Sequence, residues 1–189
     1  MRYAIIVCIA VWAASRLTAQ EFELQNKLID SPLGKVAFGL DVSPSEREYV
    51  IAGRGDTMVV LDASTDQEKR RVKLQPLTLA VGYSPDGKTV AALSHPGVLQ
   101  ILDTDNWKHR HRVTLAFRCG YLSYHPTKPW IAVGGAGPTV DIYDYKTGAK
   151  LRSLCKSDRT QGVMFGLDGE SSYVNAWYLT PTNRSELKR

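Results

Sequence analysis

Three aspartates at equal spacing are the first candidates for chemistry. Asp62, Asp103 and Asp144 lie 41 residues apart, and each follows a Leu or Tyr at the end of a short apolar run. Two carboxylates can act as general acid and general base when they converge on one substrate. Equal spacing argues against convergence, because it places one aspartate at the same point of each repeat, where it can accept N–H bonds from the following turn. We therefore predict structural aspartates and assign no catalytic residue.

Histidines are the second candidates, as ligands of a metal ion. His109 and His111 alternate along one predicted strand and so share a face, which would let them bind one ion. A stable site usually needs three or four ligands, and nothing near these two in the sequence completes such a set. His95 and His125 are interpreted as isolated turn residues. The sequence predicts neither a metal site nor a cofactor.

The tripeptide Arg54-Gly55-Asp56 matches the integrin-binding sequence. Matches of three residues are common by chance, and here the glycine suits a hairpin turn. We expect Asp56 to tie the backbone of that turn, and we give the tripeptide a structural role.

Basic residues recur in phase with the aspartates. We interpret them as outer strands whose charges resist edge-to-edge pairing, with a cationic rim for an anionic surface as the alternative. Base-stacking aromatic residues are not interleaved with the runs, so we predict no nucleic-acid partner. The residues are Lys69-Arg70-Arg71-Val72-Lys73, Lys108 to Arg112, Lys150 and Arg152.

A 41-residue repeat organises the chain beyond these charged positions. Apolar positions keep their phase through the repeat, and the runs are short, β-branched and alternating, as strands are. In the second unit we predict four strands, near residues 78–84, 88–94, 98–103 and 108–114. The anchoring triplets are Val42-Ser43-Pro44, Tyr83-Ser84-Pro85, Tyr124-His125-Pro126 and Phe165-Gly166-Leu167.

At these motifs the chain resembles the WD40-like β-propeller families. The resemblance is carried by Ser84-Pro85-Asp86-Gly87, by the Leu-Asp or Tyr-Asp pair that closes each third strand, and by the run from Asp144 to Gly148. It covers residues 34–177. No repeat has the Trp-Asp dipeptide or the Gly-His pair, which leaves YVTN-type bacterial propellers as the alternative relatives. The resemblance implies an all-β propeller of four-stranded antiparallel blades, about 41 residues each, that binds partners without chemistry.

The N-terminus has the layout of a secretory signal peptide. Arg2 precedes an uncharged run over residues 3–14, which is too short to span a bilayer as a helix, and small residues follow it. We expect a signal peptide over 1–19 and no integral membrane span after cleavage, with Leu17-Thr18-Ala19 or Ala13-Ala14-Ser15 as the cleavage sequence. Cleavage after Ala19 would remove Arg2 and Arg16 from a chain of formal net charge +5. An uncleaved anchor or a buried first strand is the alternative.

Export bears on location and on the cysteines. We predict a secreted or periplasmic protein from a bacterial source. In an oxidising compartment Cys119 and Cys155 could form a disulfide, and two buried free thiols are equally compatible with the sequence.

The repeat does not supply a complete ring. We predict a linker with an outer closing strand over 20–33, and then propeller repeats over 34–74, 75–115, 116–156 and a partial unit over 157–189. Propellers have four to eight blades, so three full blades and part of a fourth make an open arc with one apolar face uncovered. The chain is a fragment of a longer propeller, or pairs with a second copy to complete the ring, or closes as an irregular four-bladed ring.

The function predicted from these features is a rigid protein-interaction scaffold, exported from the cell and not an enzyme. The alternative is a small-molecule-binding or enzymatic bacterial propeller, lactonase-like or dehydrogenase-like, with its site at the central channel. Inner-strand positions that would face such a channel are small or apolar, which disfavours the alternative. These positions are Gly39, Ala80, Tyr121 and Gly162, and the polar groups near them are Asp41, Ser123, Arg118 and Arg159.

Overall fold

The chain folds as a series of small antiparallel β-sheets that follow one another in sequence. The computed structural model describes residues 4–6, 28–30, 36–156 and 160–176, and every regular element in these ranges is a β-strand. The strands are β1 (Ala4–Ile6), β2 (Leu28–Asp30), β3 (Ala37–Val42), β4 (Glu48–Gly53), β5 (Thr57–Asp62), β6 (Glu68–Lys73), β7 (Thr78–Tyr83), β8 (Thr89–Ser94), β9 (Val98–Asp103), β10 (His109–Thr114), β11 (Cys119–Tyr124), β12 (Trp130–Gly135), β13 (Thr139–Asp144), β14 (Lys150–Lys156), β15 (Thr160–Phe165) and β16 (Ser172–Ala176).

Each 41-residue unit forms one four-stranded meander. Strands β3–β6 make the first sheet, β7–β10 the second and β11–β14 the third, and consecutive strands pair in each. Strands β15 and β16 pair alone and are called the last hairpin. The four strands predicted for the second unit are confirmed, with bounds that agree to within a residue.

The tight connection from β7 to β8 shows why the repeat carries the sequence Ser-Pro-Asp-Gly. The Ser84 hydroxyl donates to Asp86 Oδ1 at 2.6 Å and accepts from the Thr89 N–H at 2.9 Å. Gly87 takes a φ of +68°, a left-handed conformation that glycine adopts without steric cost. These contacts reverse the chain within four residues and set the register of the hairpin.

Apolar side chains fill the space between neighbouring sheets. Val50 and Val60 of the first sheet pack with Val90 and Leu102 of the second, and all four are buried. Burying one such side chain contributes about 1.5–3 kcal/mol, so stacking of sheets is the main stabilising interaction of the array. The same packing between the second and third sheets involves Leu93, Leu99, Ile101, Ile131, Val133 and Tyr143, and between the third sheet and the last hairpin it involves Ala132, Val140, Ile142 and Phe165.

Within the described ranges the sheets do not close into a ring. The inner strands β3, β7, β11 and β15 lie side by side in that order, and β15–β16 ends the series as a two-stranded unit. The expected uncovered face lies at the last hairpin, where Met164 and Tyr173 are exposed. At the other end of the array, the outward face of the first sheet is buried at Tyr49 and Ile51, which pack with partly buried residues of the same sheet.

The N-terminal predictions fall mostly outside the described residues. Ala4–Ile6, within the predicted signal peptide, forms the strand β1 and pairs antiparallel with Leu28–Asp30. Residues 7–27, which include most of the predicted closing strand, lie outside the described part of the chain, as do 177–189. Over the described residues, no helix has the length and apolar character that a membrane span requires.

Candidate interaction surface

The inner strands of all four units together line one shallow recess, which we call the inner-strand surface. Its volume is about 350 Å³. It lies where the central channel of a complete propeller would be, because its lining positions repeat every 41 residues along the four innermost strands. The lining residues are Phe38, Gly39, Leu40, Leu79, Ala80, Val81, Gly120, Tyr121, Leu122, Gly162 and Val163.

The side chains that line the inner-strand surface are mostly apolar and partly accessible, and polar atoms, mainly of the backbone, make up more than half of the exposed lining. Phe38 is 49% exposed and Tyr121 is 41% exposed, and Val36 and Leu40 are exposed beside them. Isolated apolar side chains are common on protein surfaces, and a contiguous group of them in a concave place makes this surface a candidate for binding. Among the described lining residues the Tyr121 hydroxyl is the one polar side-chain group. Apolar groups of a partner could pack against these side chains, and the described lining residues include no set of convergent polar side chains.

The polar residues predicted near the channel serve the packing of the sheets instead. Asp41 Oδ2 accepts the N–H of Tyr83 at 2.6 Å, which joins the first sheet to the second. Ser123 Oγ accepts the N–H of Phe165 at 3.1 Å, which joins the third sheet to the last hairpin. Burial raises the pKa of Asp41 above its usual value, although the N–H of Tyr83 favours the ionised form. Both side chains are already engaged as ties between sheets.

Of the two predicted arginines, only Arg118 lies in the described part of the chain, and it adds no charged group to the described lining. Arg118 is exposed, and its carbonyl oxygen accepts the N–H of Ala136 at 2.8 Å. It is absent from the residues that line the recess. Arg159 lies outside the described residues.

The three repeated aspartates hold turns, as predicted. Asp62 Oδ1 accepts the N–H groups of Ser64 at 2.9 Å and Thr65 at 3.1 Å. Asp144 makes the equivalent pair of bonds after the third strand of its sheet, and Asp103 accepts one N–H in its turn and the Arg110 guanidinium. Each aspartate acts within its own sheet, and the three do not share a site.

The hydrogen bonds to Asp62 predict a dependence of stability on acid pH. The hydroxyl and N–H of Ser64, followed by the N–H of Thr65, lower its pKa from 3.8 to about 2. A lowered carboxyl pKa stabilises the fold above the unfolded pKa, and this stabilisation is lost as the pH falls through the folded pKa. We expect Asp62→Ala to reduce the free energy of unfolding at pH 7, and the difference from wild type to vanish near pH 2.

The control for this experiment is Asp105→Ala, since the exposed Asp105 carboxylate accepts no hydrogen bond among the described residues. Urea unfolding measured across pH 2–7 provides the comparison. A deficit in Asp62→Ala that stays constant down to pH 2 would contradict the electrostatic explanation.

The histidines do not form a metal site in the described structure. A bulge separates His109 from His111, and the His111 Nε2 lies 2.6 Å from the Lys146 carbonyl of the third sheet. No group of three or more His, Cys, Asp or Glu side chains that could hold an ion occurs in the described ranges.

His125 is not isolated, which corrects the prediction for this residue. It is 2% exposed, its Nδ1 accepts the N–H groups of Thr127 and Lys128, and its Nε2 lies 3.0 Å from the Gly169 carbonyl. These contacts define a neutral ring with its proton on Nε2, and burial lowers its pKa. His125 thus ties the third sheet to the turn of the last hairpin.

The basic runs lie on the outer strands β6, β10 and β14, each of which pairs with a neighbour on one side only. Lys69 pairs with Glu48 at 3.0 Å and Arg110 with Asp103 at 2.6 Å, which neutralises part of the charge. Arg70 is exposed and forms no ion pair in the described structure. This placement agrees with charged edge strands that resist pairing with another sheet.

A buried carboxylate that the sequence analysis missed lies under the third outer strand. Asp141 is 2% exposed and accepts from Thr139 Oγ1 at 2.9 Å, Ser153 Oγ at 2.8 Å and Lys150 Nζ at 2.7 Å. The repeat places Val59 and Gln100 at the equivalent positions. The sequence did contain a signal for this site: Asp141 stands where the first unit has the apolar residue Val59.

The Arg54-Gly55-Asp56 turn is tied through its backbone. The Gly55 and Asp56 carbonyls accept the N–H groups of Leu77 at 3.1 Å and Leu74 at 2.7 Å. The Asp56 carboxylate accepts the hydroxyl of the adjacent Thr57 at 3.2 Å. The predicted tie from the Asp56 side chain to the turn backbone is therefore corrected: main-chain carbonyls make it.

Cys119 is a free and buried thiol in this structure, and the side chain of Cys155 lies outside the described residues. Burial, with a smaller contribution from the charge of Asp141, raises the pKa of Cys119 to about 12. The reactive thiolate is therefore scarce at neutral pH.

Four-stranded antiparallel sheets in sequence order, with their inner strands side by side, give the described part of the chain a β-propeller-like fold that is not closed into a ring. No family model matches the chain. The chain is 26% identical over 144 residues to THO complex subunit 3 of Arabidopsis thaliana, a match that covers 71% of this chain and 45% of that protein.

Two solved structures share the fold. One is the hydrazine synthase of Kuenenia stuttgartiensis, with a TM-score of 0.69 and 18% identity over 73% of this chain and 41% of that one. The other is U3-55K, with a TM-score of 0.64 and 12% identity over 68% of this chain and 42% of that one. The chain spans less than half the length of each of these relatives.

Proposed function

We propose that the chain is an exported repeat protein that serves as a rigid protein-interaction scaffold and binds its partner on the inner-strand surface. The observation that carries this proposal is the group of accessible apolar side chains in the recess, with the aromatic rings of Phe38 and Tyr121 among them. The similarity to THO complex subunit 3, which is named as a subunit of a complex, supports a role in assembly.

Rigidity of the inner-strand surface supports a binding role. Four strands from four successive units form it, and the bonds from Asp41 and Ser123 fix neighbouring units relative to one another. A surface that is already ordered loses little conformational entropy when a partner binds. Aromatic side chains at the centre of an interface commonly supply much of its binding free energy.

Site-specific photo-crosslinking in the source cells tests the binding face. A photoreactive phenylalanine replaces Phe38, Tyr121 or, as the control, Leu151, which is 46% exposed on an outer strand. We expect one protein adduct of the same mass from positions 38 and 121, and none from 151. Adducts that are equally abundant at position 151, or absent from 38 and 121, would contradict the proposal.

The captured partner then permits a quantitative test with Phe38→Ser and Tyr121→Ser. Each loss of a central aromatic side chain should weaken binding by about 2 kcal/mol, or about 30-fold, while Leu151→Ser should leave the affinity unchanged.

Export is measured in the same cells: the exported fraction should contain a chain that begins at Gln20, after cleavage at Ala19.

A small-molecule or enzymatic function is the second candidate, since the recess volume lies within the range of ligand pockets. Enzymatic function requires polar groups that converge on the bound molecule. Asp41 and Ser123 instead bond to the backbone of neighbouring units. These bonds between units suit a rigid scaffold better than an enzyme, because they leave neither side chain free to act on a bound molecule.

A further inference from the structure

The positive charge of the chain is concentrated on the outer strands of the three four-stranded sheets. Strands β6, β10 and β14 contain nine Lys or Arg residues and one Glu, which is a formal charge of +8. The whole chain carries +5, so the remaining residues together carry −3. We call the edge formed by these three strands the basic rim.

Part of the charge on the basic rim has no carboxylate partner. Carboxylates pair with four of its cations, which are Lys69, Arg71, Arg110 and Lys150. Within the described residues no carboxylate pairs with four further exposed cations, and each strand of the rim carries at least one of them. These are Arg70 and Lys73 on β6, Arg112 on β10 and Arg152 on β14.

Neutral groups hold two of these cations in place. The Arg112 guanidinium donates to the side-chain oxygen of Gln75. The Arg152 guanidinium lies 5.3 Å from the centre of the Trp130 ring. Such contacts order a long side chain and leave its charge uncompensated, so less conformational entropy is lost when an anion binds.

The uniform sign of the basic rim is not needed to protect the edges of the sheets. Lys, Glu and Pro on an edge strand all hinder pairing with another sheet. Charge of one sign over three successive strands also creates a positive potential that attracts an anionic partner. The excess charge therefore points to a binding role in addition to edge protection.

The arrangement of the strands indicates the shape of that partner. The inner strands β3, β7, β11 and β15 contact one another, while no comparable contact joins β6 to β10 or β10 to β14. The sheets thus diverge outward, and the cations lie at intervals along a convex edge. A linear polymer can follow such an edge, whereas a flat bilayer meets only part of it.

The composition of the rim indicates the chemistry of the polymer. Strands β6, β10 and β14 contain no Phe, Tyr or Trp. Proteins that bind single-stranded nucleic acid stack its bases on aromatic side chains. A polymer that offers carboxylate or sulfate groups on sugar rings requires only the cations.

We propose that the basic rim binds a linear acidic polysaccharide, whose anionic groups contact Arg70, Arg112 and the neighbouring cations. One exposed ion pair contributes little, so the affinity comes from several contacts along one polymer. Salt screens these contacts, which makes the binding sensitive to ionic strength. The basic rim lies at the opposite edge of each sheet from the inner-strand surface, so the two binding proposals are independent.

Fluorescence anisotropy of a labelled heparin oligosaccharide, a linear glycan with sulfate and carboxylate groups, tests the proposal on the full chain. The variant Arg70→Gln/Arg112→Gln removes two rim cations. The matched control Arg47→Gln/Lys88→Gln removes the same charge from exposed turns between the first and second strands of the same two sheets. We expect the rim variant to bind about fivefold more weakly than wild type, and the control to bind as wild type does.

Three comparisons complete the test. Binding by the wild type should weaken as the salt concentration rises from about 50 mM to about 300 mM, and a neutral dextran of equal length should not bind. Phe38→Ser, which alters the inner-strand surface, should leave glycan binding unchanged. Equal losses in the rim variant and the control, or no binding at low salt, would overturn the proposal. Tighter binding to duplex DNA or to phosphatidylglycerol vesicles than to the glycan would overturn the assignment to a polysaccharide.

Discussion

Replacing Gly135 with alanine should destabilise the fold by about 3 kcal/mol, the upper part of the range for overpacked sites. A Cβ at this position would lie 2.2 Å from the Arg118 carbonyl oxygen and 2.6 Å from the Cys119 Cα. The neighbour that would have to move is backbone. The Arg118 carbonyl accepts the N–H of Ala136 at 2.8 Å, so relief of the clash would break the bond that joins β11 to the end of β12.

The matched control is Gly120→Ala in strand β11. A Cβ there would meet only the Leu79 Cδ1, at 3.9 Å, which is an ordinary van der Waals contact. Urea unfolding of both variants measures the difference, and we expect Gly120→Ala to remain within about 0.5 kcal/mol of wild type. Equal stabilities for the two variants would show that the backbone at Gly135 adapts to a side chain.

The second unit shows how the backbone accommodates a side chain at the position equivalent to Gly135. Gly53 and Gly135 are equivalent, and a Cβ at Gly53 would lie 2.1 Å from the Val36 carbonyl. The second unit has Ser94 at this position. There Leu77, the equivalent of Val36, adopts a φ of +59°, so the backbone follows a different path past the serine side chain. The spacing of the repeat predicts that the positions are equivalent, but the choice between glycine and a shifted backbone depends on the three-dimensional path.

Much of the fold could be predicted from the sequence because its signals are local. Alternating apolar residues and turn residues such as Ser84 to Gly87 act within one hairpin, and the 41-residue spacing shows that the hairpins recur. The turn role of Asp62 followed from the same spacing. These features need only the order of residues along the chain, so the second unit was predicted nearly strand by strand.

Contacts between sheets could not be predicted in the same way. Asp41 and Ser123 were interpreted as polar groups near the channel, but the stacking of the sheets brings them to backbone N–H groups of the next unit. His125 was interpreted as an isolated turn residue, although a carbonyl 44 positions away completes its hydrogen bonding. The angle and distance between sheets decide these contacts, and a periodic pattern does not encode either one.

The inner-strand surface was predicted in part. The small or apolar character of Gly39, Ala80, Tyr121 and Gly162 was visible in the sequence, and all four line the recess. The exposure of Phe38 was not visible, because an alternating pattern does not distinguish a residue that faces the recess from one that packs between sheets.

The ion pair between the buried Asp141 carboxylate and the exposed Lys150 predicts the second large effect on stability. Lys150 Nζ lies 2.7 Å from Asp141 Oδ2, and the side chain of Asp141 is only 3% exposed whereas that of Lys150 is 45% exposed. Removing the cation leaves a buried carboxylate with two hydroxyl donors and no charge partner, and losses of about 3–5 kcal/mol follow when such a pair is broken. Because water reaches Lys150 and part of the pair, we expect Lys150→Met to cost about 2–3 kcal/mol.

The double variant Asp141→Val/Lys150→Met should recover most of that loss, because it removes the uncompensated charge together with its partner. Valine suits the position sterically, since Val59 occupies it in the first sheet and is 0% exposed. Thr139 and Ser153 lose an acceptor in the double variant, but Ser153 is exposed and can bond to water. Urea unfolding of wild type, both single variants and the double variant gives the coupling free energy of the pair. A double variant less stable than Lys150→Met would show that the Asp141 carboxylate stabilises the third sheet mainly through its bonds to the two hydroxyls.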